Sequence, residues 1–166
     1  MLLTGGLALY GIPCLLQPEA GRLLDSVDLA IHETGHLVFA PFGELLQSLG
    51  GTLFQLALPA AFVVYFWRRA DRHAASVALW WVAQNFWNIS VYVGDARAQT
   101  LPLVGGGEHD WAYLLGVLGW LHHDQALALD VRLVGVAIYL YAVVMGFREA
   151  GTTGSRAVPS AATDSA

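Results

Sequence analysis

Long apolar segments with almost no charged residues constrain the fold of this chain more than any other feature. Hydrophobic residues make up 56% of its 166 residues and charged residues only 13%, against roughly 45–50% and about 25% in ordinary globular domains. A soluble domain of this length cannot bury so much apolar surface. The composition therefore predicts an all-α, polytopic integral membrane protein with the lipid bilayer as its partner.

The lengths of the apolar segments predict how many helices enter the membrane. A helix needs about 20 apolar residues to cross the hydrocarbon core, and this predicts four to five transmembrane or half-inserted helices. We assign residues 1–150 to one helical membrane domain and residues 151–166, which are small and polar, to a disordered C-terminal tail. A short, half-inserted helix is expected near 111–121. The longer expected segments are about Leu2–Leu16, Leu23–Phe42, Gly50–Trp67, Ala74–Gly94 and Val131–Phe147.

The arginine residues predict the orientation of these segments. The chain contains no lysine, and its arginines Arg68, Arg69 and Arg72 are separated from Arg148 by two expected crossings. Both groups therefore lie on one side, which the positive-inside rule makes cytoplasmic, together with the C-terminus. The net charge of −5 and the lack of a basic stripe predict no nucleic-acid partner.

Two histidines and a glutamate interrupt the second apolar segment, within "DLAIHETGHLVFAPFG". His32, Glu33 and His36 form an H-E-x-x-H pattern, and positions i and i+4 of a helix share one face, so both imidazoles can face one metal ion. Zinc held in this way lowers the pKa of a bound water to about 7, and Glu33 can accept its proton. Ionisable residues are costly inside a membrane helix. The pattern therefore predicts a Zn²⁺ site rather than a chance match.

A catalytic zinc site needs a third protein ligand and one open position. Asp95 ends the fourth apolar segment, where its carboxylate can reach inward. Glu108, His109 and Asp110 follow three glycines that allow the loop to fold back. Both alternatives stay open on the residues alone. The remaining candidates are Glu44, His122, His123 and Asp124.

The order of these features resembles the site-2-protease class of intramembrane zinc metallopeptidases. "HETGH" in one membrane segment is followed by a further segment, and then by one that contains asparagine and ends in Gly-Asp. The similarity covers about Leu23–Ala98, but the proline expected before Asp95 and the glycine expected after it are absent. The resemblance implies His32, His36 and Asp95 as metal ligands, Glu33 as the general base, and Asn85 and Asn88 as substrate-binding residues.

A group of small uncharacterised bacterial HExxH membrane proteins is a closer likeness. It is carried by "HETGHLVFAPFGE", "GGTLFQ", "DARAQTLPLVGGG" and "EHDW". This likeness implies a bacterial inner (cytoplasmic) membrane location, and it keeps Glu108, His109 and Asp110 as fallback third ligands.

These features together predict a membrane-embedded zinc metallopeptidase that hydrolyses a peptide bond in or near the bilayer. Zinc-bound water would be activated by Glu33, and the substrate would be a membrane protein or a peptide. The alternative is a non-catalytic membrane subunit or metal-binding scaffold with a vestigial peptidase site. A metal or proton transporter is disfavoured because the last apolar segment offers almost no polar path.

Overall fold

The structure is a computed structural model that describes residues 1–103 and 108–155, and every regular element in these ranges is a helix. The prediction of an all-α fold is therefore confirmed. Two short 3-10 turns, Ala40–Phe42 and Leu121–His123, precede the third and the last α-helix. The six α-helices are α1 (Leu2–Leu16), α2 (Leu23–Phe39), α3 (Glu44–Arg68), α4 (Arg72–Gly94), α5 (Asp110–Val117) and α6 (Asp124–Ser155).

Two helices in the described part of the chain are long and apolar enough to cross a membrane. They are α3, Glu44–Arg68, and the helical stretch Leu121–Gly151, which covers most of α6. Only 17% of the most apolar part of the second stretch is buried inside the protein, so most of its apolar side chains are at least partly exposed on the surface. Soluble proteins rarely expose apolar patches of this extent. The full set of four to five membrane segments stays a prediction.

Helix α4 lies at the centre of the bundle, between α3, α6 and α1. Trp87 of α4 is 1% exposed and packs against Tyr139 of α6. The polar side chains Gln84 and Asn85 are also buried within the protein. A central helix presents such side chains to neighbouring helices instead of lipid, where they can hydrogen-bond. This explains why α4 is nearly as long as α3 but less apolar.

Contacts between helices fix their directions. The short connections after α2 and α3 make α2 antiparallel to α3, and α3 antiparallel to α4. An added Cβ at Gly135 of α6 would meet Trp87, and one at Gly146 would meet Ser76, so α6 is antiparallel to α4. The C-terminal end of α4 and the N-terminal end of α6 therefore lie at the same end of the bundle, which we call the loop end. The opposite end, which we call the arginine end, carries Arg68, Arg69, Arg72 and Arg148.

Helix α1 is short, and arginine side chains complete its C-terminal end. The Arg22 guanidinium donates to the carbonyl oxygens of Pro13 and Gln17, both at 2.8 Å. Arg132 of α6 donates to the carbonyl of Leu15. The carbonyls of Pro13 and Gln17 also accept the backbone N–H groups of Gln17 and Ala20, so Arg22 adds a second donor to each, and Arg132 adds one at Leu15, where α1 ends and the chain turns into α2.

Helix boundaries depart from the expected segments at glycines and prolines. Helix α2 ends at Phe39 rather than Phe42, because Pro41 follows and Gly43 turns the chain at φ +94°. Helix α3 begins at Glu44, so Gly50 lies inside a helix instead of starting one.

The last helix is longer than expected at both ends. It begins at Asp124 and not near Val131, and it continues to Ser155. Residues 151–155, the first part of the expected tail, are therefore helical, and residues 156–166 lie outside the described part of the chain. The short helix expected near 111–121 corresponds to α5.

Candidate metal centre

Close packing of α2 on α3 places the two motif histidines against the backbone of α3. A Cβ added at Gly35 of α2 would lie 2.3 Å from the carbonyl oxygen of Gly50. A Cβ added at Gly51 would lie 2.5 Å from Nε2 of His32. Any side chain at these positions would hold the helices apart. The glycines therefore allow the His32 ring, 6% exposed in total, to lie directly on α3.

Both motif histidines point at one carboxylate oxygen. Nε2 of His32 and Nε2 of His36 each lie 3.2 Å from Oδ2 of Asp110. Asp110 is the first residue of α5 and is 9% exposed. One ligand atom from each of these three residues lies within 4.8 Å of the others, so the group could hold a metal ion.

The other ring nitrogen of each histidine faces a hydrogen-bond acceptor. Nδ1 of His32 lies 3.0 Å from Oε1 of Gln55, and Nδ1 of His36 lies 2.8 Å from the carbonyl oxygen of Gln47. Each Nδ1 must carry a proton to donate to these oxygens. The second nitrogen of a neutral imidazole then presents a lone pair. Both Nε2 atoms therefore face Asp110 as potential metal ligands, in the arrangement common among metal-binding histidines.

This geometry fits a metal ion. Two imidazole lone pairs and a carboxylate oxygen repel each other unless protons or a cation lie between them. Four-coordinate zinc, with bonds of about 2.0–2.1 Å, places its ligand atoms roughly 3.3 Å apart. The observed separations of 3.2 Å between Asp110 and each histidine agree with that spacing, whereas the three ligand atoms taken together are within 4.8 Å of one another, a wider limit than zinc requires.

Tyr92 and Gln55 support the ligands, and the sequence analysis assigned a site role to neither. The Tyr92 hydroxyl donates to Oδ2 of Asp110 at 3.1 Å and accepts from the Asp110 backbone N–H at 3.2 Å. Gln55 is 2% exposed, and its Nε2 donates to Oδ1 of Asn88 at 3.0 Å. An amide inside an apolar helix was a detectable signal for Gln55. A tyrosine near a helix end carries no comparable signal.

Glu33 lies beside the ligands in a cavity of about 240 Å³. His32, Asn88 and Tyr92 also line this cavity, as do residues of the connection between α1 and α2. Much of its remaining wall is apolar. The apolar lining residues are Pro18, Leu29, Ile89, Val91, Leu101, Pro102 and Leu103.

Asp95 does not join the two histidines, contrary to the ligand set that the resemblance implied. Its Oδ1 accepts from the backbone N–H and the hydroxyl of Thr100, at 3.0 and 2.7 Å, and its Oδ2 accepts from the Leu101 N–H at 3.0 Å. These local donors hold the carboxylate at the end of α4. Asp110, one of the fallback candidates, takes the position beside the histidines.

The other predicted residues have separate positions. Glu108 is exposed, and His109 caps α5 by accepting from the Ala112 N–H at 3.3 Å. Asn88 lines the cavity but is bonded to Gln55. Asn85 is fully buried, donates to the Trp81 carbonyl at 3.0 Å, and is not among the cavity residues.

The remaining third-ligand candidates lie apart from the histidine pair. Asp124 accepts from Arg97 at 2.8 Å. The rings of His122 and His123 are exposed and lie 3.9 Å apart between centroids.

No family model, no curated protein and no solved structure matches this chain. Its fold and site define an all-helical protein with a histidine–histidine–aspartate group that could hold a metal ion.

Proposed function

We propose that this protein is a membrane-embedded zinc metallopeptidase of the HExxH type. The observation that carries the proposal is the convergence of His32 and His36 on Asp110, with Glu33 lining the adjoining cavity. Two histidines and one carboxylate form a recognised catalytic zinc set that leaves a fourth position open. Bound zinc would supply a Lewis acid and a water of about neutral pKa.

Glu33 is the residue assigned to proton transfer. It follows the first ligand in the chain and lines the same cavity as His32, so its carboxylate lies where a reacting group would enter. A carboxylate in this place can accept a proton from the attacking water and deliver it to the leaving amine. The apolar wall of the cavity suits a short, apolar stretch of a peptide.

The site belongs near the non-cytoplasmic face of the membrane in this proposal. Arg68, Arg69, Arg72 and Arg148 mark the arginine end as cytoplasmic under the positive-inside rule. The metal group lies at the other end, because Asn88 is six residues before the end of α4, which corresponds to about 9 Å of helix. The proposed substrates are therefore membrane proteins or peptides cut close to the outer surface of the inner membrane.

Glu33→Gln tests the catalytic part of the proposal. The purified protein in proteoliposomes would be incubated with a library of single-span peptides, and the products would be identified by mass spectrometry. We expect wild-type zinc content and a loss of cleavage of about 10²–10⁴-fold, the usual contribution of general acid–base catalysis. Glu19→Gln is the matched control, since Glu19 lines the same cavity but does not neighbour a ligand. Full cleavage by Glu33→Gln would refute the hydrolase and favour the scaffold.

His36→Ala tests the metal part independently. Metal analysis of this variant should show a large loss of bound zinc at a concentration that saturates the wild type. Unchanged zinc content would refute the site itself.

Cysteine labelling tests the proposed orientation. In a Cys14→Ser background, Glu108→Cys should react with a membrane-impermeant maleimide on intact cells, and Gly151→Cys only after permeabilisation. The reverse pattern would contradict the placement of the metal group near the outer face.

A further inference from the structure

The carboxylate of Asp95 lies next to both ends of the segment that brings Asp110 back to the histidines. This segment leaves α4 after Gly94 and returns at α5. At its start, Asp95 binds Thr100 and Leu101 through the three hydrogen bonds given above. At its end, Nε2 of His109 lies 3.5 Å from Oδ2 of Asp95.

His109 is oriented for this contact from two sides. Its Nδ1 accepts from the Ala112 N–H, so the ring proton of the neutral side chain is on Nε2, which faces Asp95. Its ring packs on the ring of Tyr92, with 4.2 Å between centroids. Tyr92 in turn holds Asp110 by two hydrogen bonds. His109 therefore touches both the residue that starts the segment and the residue that supports the third ligand.

Both members of the pair are shielded from solvent. Asp95 is 7% exposed and His109 is 2% exposed. Burial opposes ionisation of Asp95, but hydrogen bonds from Leu101 and Thr100 outweigh it and hold the pKa of its carboxyl below the usual range. A buried carboxylate is costly unless its partners are complete; its hydrogen bonds here come from Thr100 and Leu101, while Nε2 of His109 faces it at 3.5 Å without forming a hydrogen bond.

We infer that Asp95 and His109 are positioning residues that fix Asp110 in the metal group, without being ligands themselves. The inference rests on the metal site of the proposed function but not on peptide hydrolysis. The resemblance implied Asp95 as a metal ligand. In this inference Asp95 acts instead through Asp110, without contacting the metal.

The test is the zinc affinity of Asp95→Asn and His109→Asn in the full-length protein in detergent, measured by competition with a chromophoric chelator. Asparagine at 109 can still cap α5 but is too short to reach Asp95. The variant therefore removes the contact with Asp95 and keeps the cap of the helix. We expect each variant to bind zinc about 10–100-fold more weakly, as for other residues that orient metal ligands. The double variant should be scarcely weaker than either single one, because the two residues act together.

Asp124→Asn is the matched control. Asp124 is a buried carboxylate, 1% exposed, at the same end of the bundle, and it is paired with Arg97. Its loss should lower thermal stability and leave zinc affinity unchanged. Thr100→Val, which removes one donor to Asp95, should weaken zinc binding in the same direction but less, and it keeps the test open if Asp95→Asn does not fold.

Cobalt spectra separate positioning from ligation. At saturating Co²⁺, Asp95→Asn should give the wild-type visible spectrum, since the ligand set is intact. A changed spectrum would identify Asp95 as a ligand, and wild-type zinc affinity in Asp95→Asn or His109→Asn would remove the positioning role. Either result overturns the inference.

A wild-type protein that binds no metal would refute the proposed function and the metal part of this inference, but not the positioning of Asp110 by the pair. The positioning role of Asp95 and His109 would then be tested by amide hydrogen exchange across α5. Asp95→Asn should accelerate this exchange and Asp124→Asn should not, and equal exchange in both variants would overturn the inference.

Discussion

Gly51→Ala should weaken metal binding strongly while leaving the fold almost intact. The added methyl carbon would lie 2.5 Å from Nε2 of His32 and 2.7 Å from two of its ring carbons. Ordinary contacts of this kind begin at 3.4 Å, so the ring must move by about 0.9 Å, whereas metal sites tolerate roughly 0.2 Å. The ring cannot keep its bond to Gln55 and its place beside Asp110 after such a shift.

The expected magnitudes differ greatly between metal binding and folding. Four-ligand structural zinc sites are worth about 10–16 kcal/mol, or about 2.5–4 kcal/mol per ligand, so losing His32 should weaken zinc binding by about two to three orders of magnitude. Overpacking usually costs about 1–3 kcal/mol of stability. Alanine in place of glycine returns about 1 kcal/mol in a helix. The net loss of stability should therefore be small.

The assay is zinc titration in detergent beside thermal melts followed by circular dichroism. Gly6→Ala is the neutral control, because a Cβ there meets nothing within 4 Å. Gly50→Ala is the crowding control, because its Cβ would lie 2.6 Å from Phe39 and not from a ligand. Zinc affinity within a few-fold of wild type for Gly51→Ala would refute the reasoning. Equal losses for Gly50→Ala and Gly51→Ala would show that helix separation, rather than displacement of the ring, is responsible.

Three further predictions follow from individual contacts. Gln55→Leu should weaken zinc binding by about 10–100-fold while the protein stays folded. The affinity would be measured by calorimetric titration, and an unchanged value would limit the role of Gln55 to packing. Arg22→Met removes the guanidinium donors to the carbonyls of Pro13 and Gln17, which keep their backbone donors; because both bonds are solvent-exposed, it should lower stability by at most about 0.5–1.5 kcal/mol, and a loss of several kcal/mol would contradict this. The folded pKa of Asp95 lies below its usual value, so its carboxylate stabilises the fold above about pH 4 and progressively less as pH falls toward the folded pKa. Asp95→Asn should therefore reduce the difference in melting temperature between about pH 6 and about pH 3, and an unaltered difference would count against that contribution.

Hydropathy was sufficient to predict the helices but not where they begin. The expected segment Leu2–Leu16 coincides with α1, because its apolar run ends at polar residues and arginines add donors to the carbonyls at its end. Gly50 and Gly51 were expected to open α3, yet they lie inside it. Glycine weakens a helix only moderately. The close approach of α2, which needs the missing side chains, outweighs that cost, and this approach is a tertiary property that no single segment reveals.

The positions of the motif histidines were easier to predict than the groups that orient their rings. His32 and His36 share a helix face by spacing alone, so the sequence was enough to place their imidazoles together. The acceptors that orient them belong to another helix, and one is the backbone carbonyl of Gln47, which has no side-chain signature. Gln55 could be singled out as a buried amide, but its partner depends on the packing of α3 against both α2 and α4.

The choice between Asp95 and Asp110 depended on local backbone donors. Both carboxylates lie at the loop end of the bundle, and each could be placed near the histidines by spacing. Asp95 is followed five and six residues later by Thr100 and Leu101, whose N–H groups fold back onto its oxygens. Short polar side chains commonly satisfy the nearby backbone in this way, and a carboxylate so occupied has little capacity left for a metal. Asp110 begins a helix, and its Oδ2 receives one hydroxyl donor, from Tyr92, so that oxygen remains available to face the imidazoles. Where two acidic residues compete for one metal position, the one with fewer local donors is therefore the better prediction.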